Sequence, residues 1–484
     1  MSVRLRPLLT TAASWPSGAM FAGAADRGLA PGDDGPLITG VTHDSRQVHP
    51  GSLFCCVRGA VDDGHRFVTE ALRAGAVALL CDHPVRSGIA EVPVPDTRRA
   101  MAPIAAAFHG NPSHAVSVVG VTGTNGKTTT VRMIQTILER SGVPTGAIGT
   151  LTGARTTPEA TDLQKILADM RDRGVRTVAM EVSSHALALH RVDAMRFAAV
   201  AFTNLSRDHL DFHGTMEEYF KAKASLFTPE FAPFAVIDVD SPNGKLLAAT
   251  TEVATVVRTG VSRVEIVSLG IEGTRYRWRG IDVVLPLPGR FNVSNAVVAS
   301  EVCVGLGVEP AAVAEALAVM GSIPGRFQRV DVGAPFTVVV DYAHTPDGLD
   351  NLLGAAREIA GKARVLVVFG CGGDRDATKR PFMGRVARER ADHVVVTSDN
   401  PRSEDPARIA AAIVAGMPER PEAIELDRRR AIRLAIGAAR PGDIVVLAGK
   451  GHETTQQIGA RFEPFDDATV AAEEAASLRA VGQV

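Results

Sequence analysis

The chain has 484 residues, which suggests about three domains, and its 45% hydrophobic and 22% charged residues are typical of a globular protein. Its 52 basic and 54 acidic residues leave a formal net charge of −2, which argues against a nucleic-acid partner bound by bulk charge. Five cysteines without a Cys-x-x-Cys pair favour unpaired thiols in a reduced compartment.

The N-terminus has some likeness to a signal peptide. Arg4 and Arg6 precede an apolar stretch that ends at residues 22–25. Two threonines and the segment 15–18 interrupt this stretch, and no later stretch has the roughly 18 unbroken apolar residues that a membrane span needs. We therefore expect a cytoplasmic protein without a membrane span.

Residues 1–112 are predicted to form a small α/β domain. Residues 52–57 and 76–80 are short, apolar and bounded by turn residues, which is typical of buried strands. Between them lie a turn rich in glycine and aspartate at 59–64 and a helical segment. Several prolines precede residue 113, where we place the domain boundary.

Residues 113–325 alternate strand and helix patterns, which predicts a central domain with a doubly wound parallel sheet. A β-branched run at 115–119 leads into a glycine-rich turn and a helix that ends near residue 141. Further strands are predicted at 177–181, 198–202 and 235–237. Residues 252–290 alternate in short pieces and predict an antiparallel insert, after which residues 291–295 open an alanine-rich helix.

Residues 326–484 form the third predicted domain, a Rossmann-like α/β unit. Its strand candidates are residues 336–340, 365–369, 393–397 and 444–447. Each of them is followed by a loop dense in polar residues and glycine. Because ligands of open α/β sheets bind at the carboxyl ends of the strands, we expect a site among these four loops.

The turn at residues 120–130, Gly-Val-Thr-Gly-Thr-Asn-Gly-Lys-Thr-Thr-Thr, carries the clearest chemical signal. A strand, a glycine-rich turn and a helix start together form a phosphate cradle, because backbone N–H groups surround the anion and the helix N-terminus adds positive charge. Lys127 can then reach the outer phosphates, and the Thr128 hydroxyl can hold Mg²⁺. The loop departs from the usual P-loop spacing at Val121. An ordinary strand-to-helix turn does not explain residues 125–128 together, so we predict nucleotide binding.

Two later segments carry further candidates for metal binding or catalysis. Glu181 ends a predicted strand, where an acid beside a phosphate loop is a natural second ligand for Mg²⁺, although a solvated or capping glutamate fits the segment equally well. Residues 202–214 contain two aspartates and two histidines after another strand, and the alternative there is a polar loop. Their spacing fits none of the zinc signatures, so magnesium-linked roles are favoured.

Four segments together resemble the Mur ligases of peptidoglycan synthesis. They are the phosphate loop at 120–129, Glu-Val-Ser-Ser-His at 181–185, the run at 203–214 and Asp-Tyr-Ala-His-Thr-Pro at 341–346. The resemblance runs from about residue 40 to residue 470. It implies three domains that bind the UDP end of the substrate, ATP and an incoming amino acid. The implied reaction is amide formation through an acyl phosphate, made when ATP phosphorylates the D-glutamate side-chain carboxylate of UDP-MurNAc-L-Ala-D-Glu.

The resemblance also implies which residues hold ATP and metal. The implied catalytic residues are Lys127, Glu181, His209, Lys223 and Arg326. Two Mg²⁺ ions are implied, one on Thr128 and Glu181, the other on His209 and a carbamylated Lys223 (N6-carboxylysine). The sequence alone favours a solvated helix lysine at 223, and carbamylation needs a neutral amine with a lowered pKa. The implied ATP contacts are Gly123, Thr124, Asn125, Gly126, Lys127, Thr128, Thr129, Asn292, Asn295, Arg326 and Asp341.

The same resemblance assigns the other two substrates. The implied contacts to the UDP-MurNAc-dipeptide are the loop at 59–64 with His43, Ser45, Thr156, Thr157, Ser183 and Arg191. Asp399-Asn-Pro-Arg402 resembles the family's motif for meso-diaminopimelate. Arg402 suits a substrate with a second carboxylate, because a guanidinium binds a carboxylate bidentately, although without this context the segment is a common Asn-Pro turn. The implied diaminopimelate contacts are Arg380, Asp399, Asn400, Pro401, Arg402, Gly449 and Glu453.

The leading hypothesis is therefore a monomeric ATP- and Mg²⁺-dependent ligase that adds meso-diaminopimelate and binds no nucleic acid. A ligase that uses L-lysine or one similar to folylpolyglutamate synthase is the nearest alternative, and Thr156-Thr157-Pro158 and residues 399–402 argue against both. A P-loop switch or motor that only senses nucleotide is a different class. The sequence has no Asn-Lys-x-Asp guanine motif, and the third domain would then have no role.

Overall fold

The computed structural model describes residues 2–21, 23, 29–59 and 62–484. The chain forms three successive α/β units, each with its own mainly parallel sheet, so the predicted fold class is confirmed. Most of the expected signal-like segment 22–25, and Ala60 and Val61 of the turn at 59–64, lie outside the described residues. None of the helices within the described ranges combines the length and the hydrophobicity that a membrane crossing requires.

The N-terminal unit is built on a small parallel sheet. Its strands are Val3–Arg4 (β1), Leu37–Ile38 (β2), Gly40–Thr42 (β3), Ser52–Cys55 (β4), Ala78–Cys81 (β5) and Ala90–Pro93 (β6), and its helices are Leu5–Ala12 (α1), Val68–Arg73 (α2) and Thr97–Phe108 (α3). Strands β3 to β6 pair in that order, all in parallel, and β1 pairs antiparallel with β2. Helix α1 buries Leu5, Leu8 and Leu9 against α3, so this apolar segment belongs to the folded core.

The central unit carries the phosphate loop on a larger sheet. Its strands are Ser117–Thr122 (β7), Thr145–Ile148 (β8), Thr177–Glu181 (β9), Ala199–Phe202 (β10), Phe234–Asp238 (β11) and Thr255–Thr259 (β12). Its helices are Lys127–Arg140 (α4), Ala160–Asp172 (α5), Ser184–Ala188 (α6), Leu210–His213 (α7), Met216–Ala224 (α8), Pro242–Thr250 (α9), Arg290–Gly305 (α10) and Pro310–Ala318 (α11). The strand order is β12-β11-β10-β7-β9-β8, and all of these pairs are parallel. Val119 and Val118 of β7 face separate apolar clusters on opposite sides of the sheet, as a doubly wound fold requires.

The antiparallel insert is smaller than the sequence predicts. Strands Glu265–Gly270 (β13), Gly273–Trp278 (β14) and Ile281–Leu285 (β15) form an antiparallel sheet. However, β12, which lies inside the predicted range 252–290, pairs in parallel with β11 at the edge of the main sheet. The prediction is therefore wrong for the start of this range, because a short β-branched run does not reveal which strand it pairs with.

The third unit has a second large sheet that faces the phosphate loop. Its strands are Gln328–Val330 (β16), Thr337–Asp341 (β17), Val365–Phe369 (β18), His393–Val396 (β19), Ala423–Ile424 (β20) and Ile444–Ala448 (β21), followed by a hairpin of Thr455–Ile458 (β22) and Arg461–Pro464 (β23). Its helices are Pro346–Ala360 (α12), Arg380–Arg390 (α13), Pro406–Val414 (α14), Arg428–Ala438 (α15) and Asp467–Ala480 (α16). The order is β16-β17-β21-β18-β19-β20, with only β16 antiparallel among these strands. The four strands predicted for this unit are confirmed, and the loops after them gather at one edge.

Candidate active site

Two adjoining cavities lie between the phosphate loop and the third unit. The first, here called the loop cavity, has a volume of about 430 Å³, and the second, the distal cavity, has a volume of about 590 Å³. Both are lined by Thr150, Thr156, Ser183, Asp208, His209, Tyr342 and His344. The two cavities therefore form one cleft that runs from the phosphate loop to the loops of the third sheet.

The phosphate loop is fixed by close contacts with its neighbours. Gly123 and Gly126 have positive φ angles of 152° and 85°, and a Cβ atom on Gly126 would collide with the side chain of Asn295. The backbone N–H of Asn125 donates to Oδ1 of Asn204 at 2.9 Å. The segment after β10 therefore braces the loop and leaves its backbone facing the cavity.

Lys127 is a partly buried cation at the start of α4. Its Nζ donates to the carbonyl oxygens of Gly123 and Thr124, both at 2.9 Å, and the residue lines the loop cavity. Burial lowers the pKa of Lys127, and the nearby carboxylates of Glu181 and Asp208 act in the opposite direction. A cation held only by carbonyl oxygens can move to the outer phosphate oxygens of a bound nucleotide.

Thr128 and Glu181 place oxygen atoms together on the cavity wall. The Thr128 hydroxyl donates to Oε1 of Glu181 at 3.0 Å, and the backbone N–H of Thr150 donates to the same oxygen at 2.8 Å. Glu181 is buried at the end of β9 yet lines the loop cavity, which contradicts the interpretation as a solvated glutamate. A hydroxyl and a carboxylate are ligands that fit Mg²⁺.

Asp208 and His209 lie where the central and third units meet. His344 and Lys379, both from the third unit, approach the Asp208 carboxylate to 3.6 and 3.7 Å. Burial alone would raise the pKa of Asp208, but these two groups outweigh it and hold the pKa below its ordinary value. Burial lowers the pKa of His209 to about 3, so its imidazole is neutral and has a lone pair to offer. The polar-loop alternative for residues 202–214 does not account for this arrangement.

Lys223 is fully buried beneath the phosphate loop. Its Nζ donates to the Gly123 carbonyl at 2.8 Å and lies 4.6 Å from the centre of the Tyr219 ring. Burial and the charge of Lys127 lower its pKa well below the ordinary value of a lysine. The interpretation as a solvated helix lysine is therefore wrong. Lys223 lines neither cavity. The centre of the Tyr219 ring also lies 6.1 Å from that of His209.

The two asparagines expected near adenine differ in position. Asn295 lines the loop cavity and packs against Gly126. Asn292 is buried, donates through Nδ2 to the Pro288 carbonyl at 2.7 Å, and lines neither cavity. Of the pair, the structure brings only Asn295 to the cleft.

Arg326 and Asp341 both lie on the loop cavity. Nη2 of Arg326 donates to the Thr128 hydroxyl at 3.1 Å, and its guanidinium carbon lies 4.5 Å from the centre of the Tyr342 ring. The Asp341 carboxylate accepts the backbone N–H groups of Phe327 and Ala343 at 2.6 and 2.8 Å. Arg326 thus connects the third unit directly to the phosphate loop.

The residues expected to bind the dipeptide part of the substrate gather in the distal cavity. They are Thr156, Thr157, Ser183 and Arg191. Arg191 donates to the Thr157 carbonyl at 3.0 Å and forms an ion pair with Glu159 at 2.7 Å. His43 and Ser45 line neither cavity, and His43 instead contacts the Thr161 hydroxyl at 2.8 Å. The expected uridine contacts therefore lie apart from the cleft.

The loops of the third unit bring most of the expected diaminopimelate contacts to the distal cavity. These are Asp399, Asn400, Arg402, Gly449 and Glu453, whereas Pro401 does not line it. Nδ2 of Asn400 donates to Oε2 of Glu453 at 2.7 Å, and Nη1 of Arg402 donates to the Gly373 carbonyl at 2.7 Å. A guanidinium and a carboxylate therefore face the same space.

Arg380 is placed differently from the prediction. It lines neither cavity, is buried, and makes two hydrogen bonds to the Glu404 carboxylate at 2.9 and 2.8 Å. Arg375, in the loop after β18, is exposed and lines the distal cavity. Of these two arginines, the structure therefore brings Arg375 and not Arg380 to the lining of the distal cavity. Both arginines follow the same predicted strand, and the sequence does not show which of them packs inward.

The sequence reasoning missed several other residues on the cleft. They are Thr150, Arg155, His185, Asp376, Lys379, Tyr342, His344 and His452. His344 and Tyr342 lie in the motif at 341–346 and His185 lies in the motif at 181–185, so these two motifs were usable signals. The others belong to segments whose proximity depends on how the units pack together.

A phosphate loop, buried cations and a cleft lined by acids and arginines define a nucleotide-dependent enzyme. Family models match the chain in three places: the Mur ligase family, catalytic domain, at residues 37–109, the Mur ligase middle domain at 121–303, and the Mur ligase, glutamate ligase domain, at 325–451. The chain belongs to the Mur ligase family.

Individual relatives agree with this result. The UDP-N-acetylmuramoyl-L-alanyl-D-glutamate--2,6-diaminopimelate ligase of Syntrophomonas wolfei is 44% identical over 468 residues, which cover 91% of this chain and 96% of that protein. A solved structure of a ligase with the same name has a TM-score of 0.64 and 32% identity, and the match covers 91% of this chain and 95% of that one. MurF ligase from Thermotoga maritima, solved in complex with ADP, shares the fold with a TM-score of 0.65 and 20% identity over 92% of this chain and 97% of that one.

Proposed function

We propose that this chain joins meso-diaminopimelate to the D-glutamate side-chain carboxylate of UDP-N-acetylmuramoyl-L-alanyl-D-glutamate in an ATP-dependent reaction. Relatives that carry the corresponding name match it over nearly its full length. One structural observation carries the proposal: Arg375, Arg402 and Glu453 face the phosphate loop across a single cleft. That cleft has room for a nucleotide at one end and an amino acid with four ionisable groups at the other.

The phosphate end of the cleft suits activation of a carboxylate. A carboxylate oxygen must attack the γ-phosphorus of ATP, and the two groups repel each other because both are anionic. Lys127 and Arg326 bring two positive charges to this end of the cleft. In our proposal the carboxylate displaces ADP and becomes an acyl phosphate, the amine then attacks the acyl carbon, and phosphate leaves as the amide forms.

The residues present also fit the proposed metal ions. Thr128 and Glu181 would hold one Mg²⁺, since both offer oxygen atoms at the phosphate loop. His209 and carbamylated Lys223 would hold the second. Burial lowers the pKa of Lys223 and so favours the neutral amine, which is the form that reacts with CO₂. When bound, Mg²⁺ neutralises the charge of the phosphates.

The distal cavity suits diaminopimelate better than L-lysine. Arg375 and Arg402 can bind the carboxylate at the far end of the amino acid, and Glu453 can pair with the ammonium group beside it. L-lysine lacks that carboxylate, so it would leave both guanidinium groups without their anion. Asp399 and Asn400 border the same space and complete the polar wall.

We also propose that the enzyme works as a monomer in the cytoplasm. The requirement for ATP supports the cytoplasm as the place of reaction.

Product analysis tests the proposed reaction. The purified chain is incubated with UDP-MurNAc-L-Ala-D-Glu, ATP, Mg²⁺ and meso-diaminopimelate, and the products are quantified by mass spectrometry and a phosphate assay. We expect ADP, phosphate and the UDP-linked tripeptide in equal amounts, and no product when any one substrate is omitted. Release of ADP and phosphate without an amide product would contradict the proposal.

A further inference from the structure

A buried ion pair lies beneath the amino-acid end of the cleft. Arg428 is the first residue of α15 and Asp467 is the first residue of α16, and both side chains are fully buried. Nε and Nη2 of Arg428 donate to the two carboxylate oxygens of Asp467 at 2.8 and 2.6 Å. Neither residue lines the cleft, so neither contacts a substrate there.

The same guanidinium also holds the ends of two strands. Nη1 of Arg428 donates to the Ser398 carbonyl at 3.3 Å, and Nη2 donates to the Ala448 carbonyl at 3.0 Å. Ser398 directly precedes Asp399, and Ala448 directly precedes Gly449. Arg428 is therefore bonded to the residue before each of the two loops that carry most of the proposed diaminopimelate contacts.

The starting points of these two loops are not paired with each other in the sheet. The direct hydrogen bonds between the two segments lie further along, where Asp399 and Asn400 bond to Glu453, Gln456 and Gln457. The loops follow β19 and β21, which are not neighbours in the sheet, because β18 lies between them. No ladder hydrogen bond therefore joins the ends of β19 and β21 directly. Arg428 spans this gap with one rigid, planar group that has donors in a fixed fork.

A small shift between the loops would change the site directly. Gly449 lies so close to Asp399 that a Cβ atom would collide with the Asp399 carboxylate. Asn400 and Glu453 are joined across the two loops by a hydrogen bond of 2.7 Å. The charge of Arg428 also faces the carboxylates of Asp399 and Glu453.

We propose that Arg428, held in place by Asp467, is a positioning residue that sets the spacing of the 399–402 and 449–453 loops and thereby the recognition of diaminopimelate. This inference rests on the proposed function and deepens it. The competing explanation is an ion pair that serves only stability, and buried pairs of that kind are often replaceable by apolar residues. An ion pair that positions the loops affects the KM for diaminopimelate, whereas an ion pair that serves only stability affects the melting temperature.

The first test is Arg428→Lys in the full-length enzyme. A lysine can still reach Asp467 but cannot hold both carbonyl groups, because it lacks the planar fork. We expect the KM for meso-diaminopimelate to rise about tenfold, the factor that corresponds to one charged hydrogen bond, while the KM values for ATP and the UDP-substrate stay within about twofold. Ile432→Val, a buried change on the same helix, serves as the matched control and should leave all three KM values unchanged.

The second test is the double variant Arg428→Met with Asp467→Leu, which replaces the buried charges by apolar side chains. If Arg428 positions the loops, the KM for diaminopimelate in the double variant stays above the wild-type value, even where the melting temperature returns to that of the wild type. Recovery of this KM together with stability would overturn the inference, as would an unchanged KM in Arg428→Lys, an equal rise in all three KM values, or failure of both variants to fold. If the wild-type enzyme does not use diaminopimelate at all, the proposed function fails instead, so the two failures are distinguishable.

Discussion

The two ends of the cleft are built in different ways. At the phosphate end, the Nζ atom of the partly buried Lys127 bonds to two backbone carbonyls and, among the described residues, to no carboxylate. At the amino-acid end, the buried cations Arg380 and Arg428 each make a two-point contact with a carboxylate. The charge of Lys127 is therefore available to an anion that enters the loop cavity, whereas the charges of Arg380 and Arg428 are already neutralised and can only hold other groups in place.

This difference separates residues that do chemistry from residues that shape the site. A buried cation without a carboxylate is costly to the fold, and it is retained where charge develops during a reaction. A buried cation with a carboxylate orders the loops around it. We therefore expect substitutions at the phosphate end to lower kcat, and substitutions at the amino-acid end to raise one KM or lower stability.

The largest effect is expected for Lys127→Met. Loss of this cation should lower kcat about 10³-fold, because one preorganised donor at developing charge is typically worth that much. The melting temperature should stay the same or rise, since a partly buried charge without a carboxylate partner is removed. Lys221→Met, an exposed lysine on α8, is the control and should keep full activity. Retention of more than a tenth of the activity in Lys127→Met, measured by phosphate release, would show that the two ends do not differ as we describe.

Lys223→Ala should be nearly inactive, with kcat lowered about 10²-fold. If its role is that of a carbamylated metal ligand, small carboxylates such as acetate or formate should restore part of the activity. Lys221→Ala is the control, since it lies two residues away on the same helix but is exposed. Full activity of Lys223→Ala without added carboxylate would refute the role.

Arg375→Ala and Arg380→Ala should have different effects at the amino-acid end of the cleft. Removal of Arg375 should raise the KM for diaminopimelate by about 10- to 100-fold, as expected for a lost charge-assisted contact. Removal of Arg380 should mainly lower the melting temperature, because Glu404 loses its partner. Steady-state kinetics and thermal denaturation of both variants check this prediction, and the reverse result would restore the assignment made from the sequence.

A smaller, pH-dependent effect is expected at Asp238, which lines the loop cavity and bonds to Ser294. Burial raises the pKa of Asp238 from 3.8 to about 6. A carboxyl group with a raised pKa stabilises the fold while it is protonated, and this contribution is lost as the pH rises from the unfolded to the folded pKa. Asp238→Asn should therefore be more stable than the wild type at pH 7.5, by at most about 3 kcal/mol, and not at pH 4. Urea denaturation at both pH values checks this prediction. The same difference in unfolding free energy between variant and wild type at both pH values would contradict it.

The phosphate end could be predicted from the sequence because its parts are local. The loop at 120–130 lies between one strand and one helix, and each glycine has a specific steric reason. The alternation of strands and helices likewise predicted the three α/β units. The exception, β12, was a short run whose partner is decided by tertiary packing.

The amino-acid end could be predicted only in part. The loops after β18, β19 and β21 were identified correctly, because the carboxyl ends of parallel strands share one edge. Which arginine faces the cavity was not predictable, because Arg380 is turned inward by Glu404, 24 residues away. Arg428 stands in a run of three arginines that is typical of an exposed surface, and only the packing of α15 on α16 shows that it is buried.

The comparison of amino acids tests the central claim most directly. Phosphate release is measured with UDP-MurNAc-L-Ala-D-Glu and ATP in the presence of meso-diaminopimelate, L-lysine or L-glutamate. We predict that kcat/KM for meso-diaminopimelate exceeds that for L-lysine by about 10³-fold, because L-lysine leaves Arg375 and Arg402 without a carboxylate. L-glutamate should give no phosphate release above background. Equal use of L-lysine, or release that depends on L-glutamate, would contradict it.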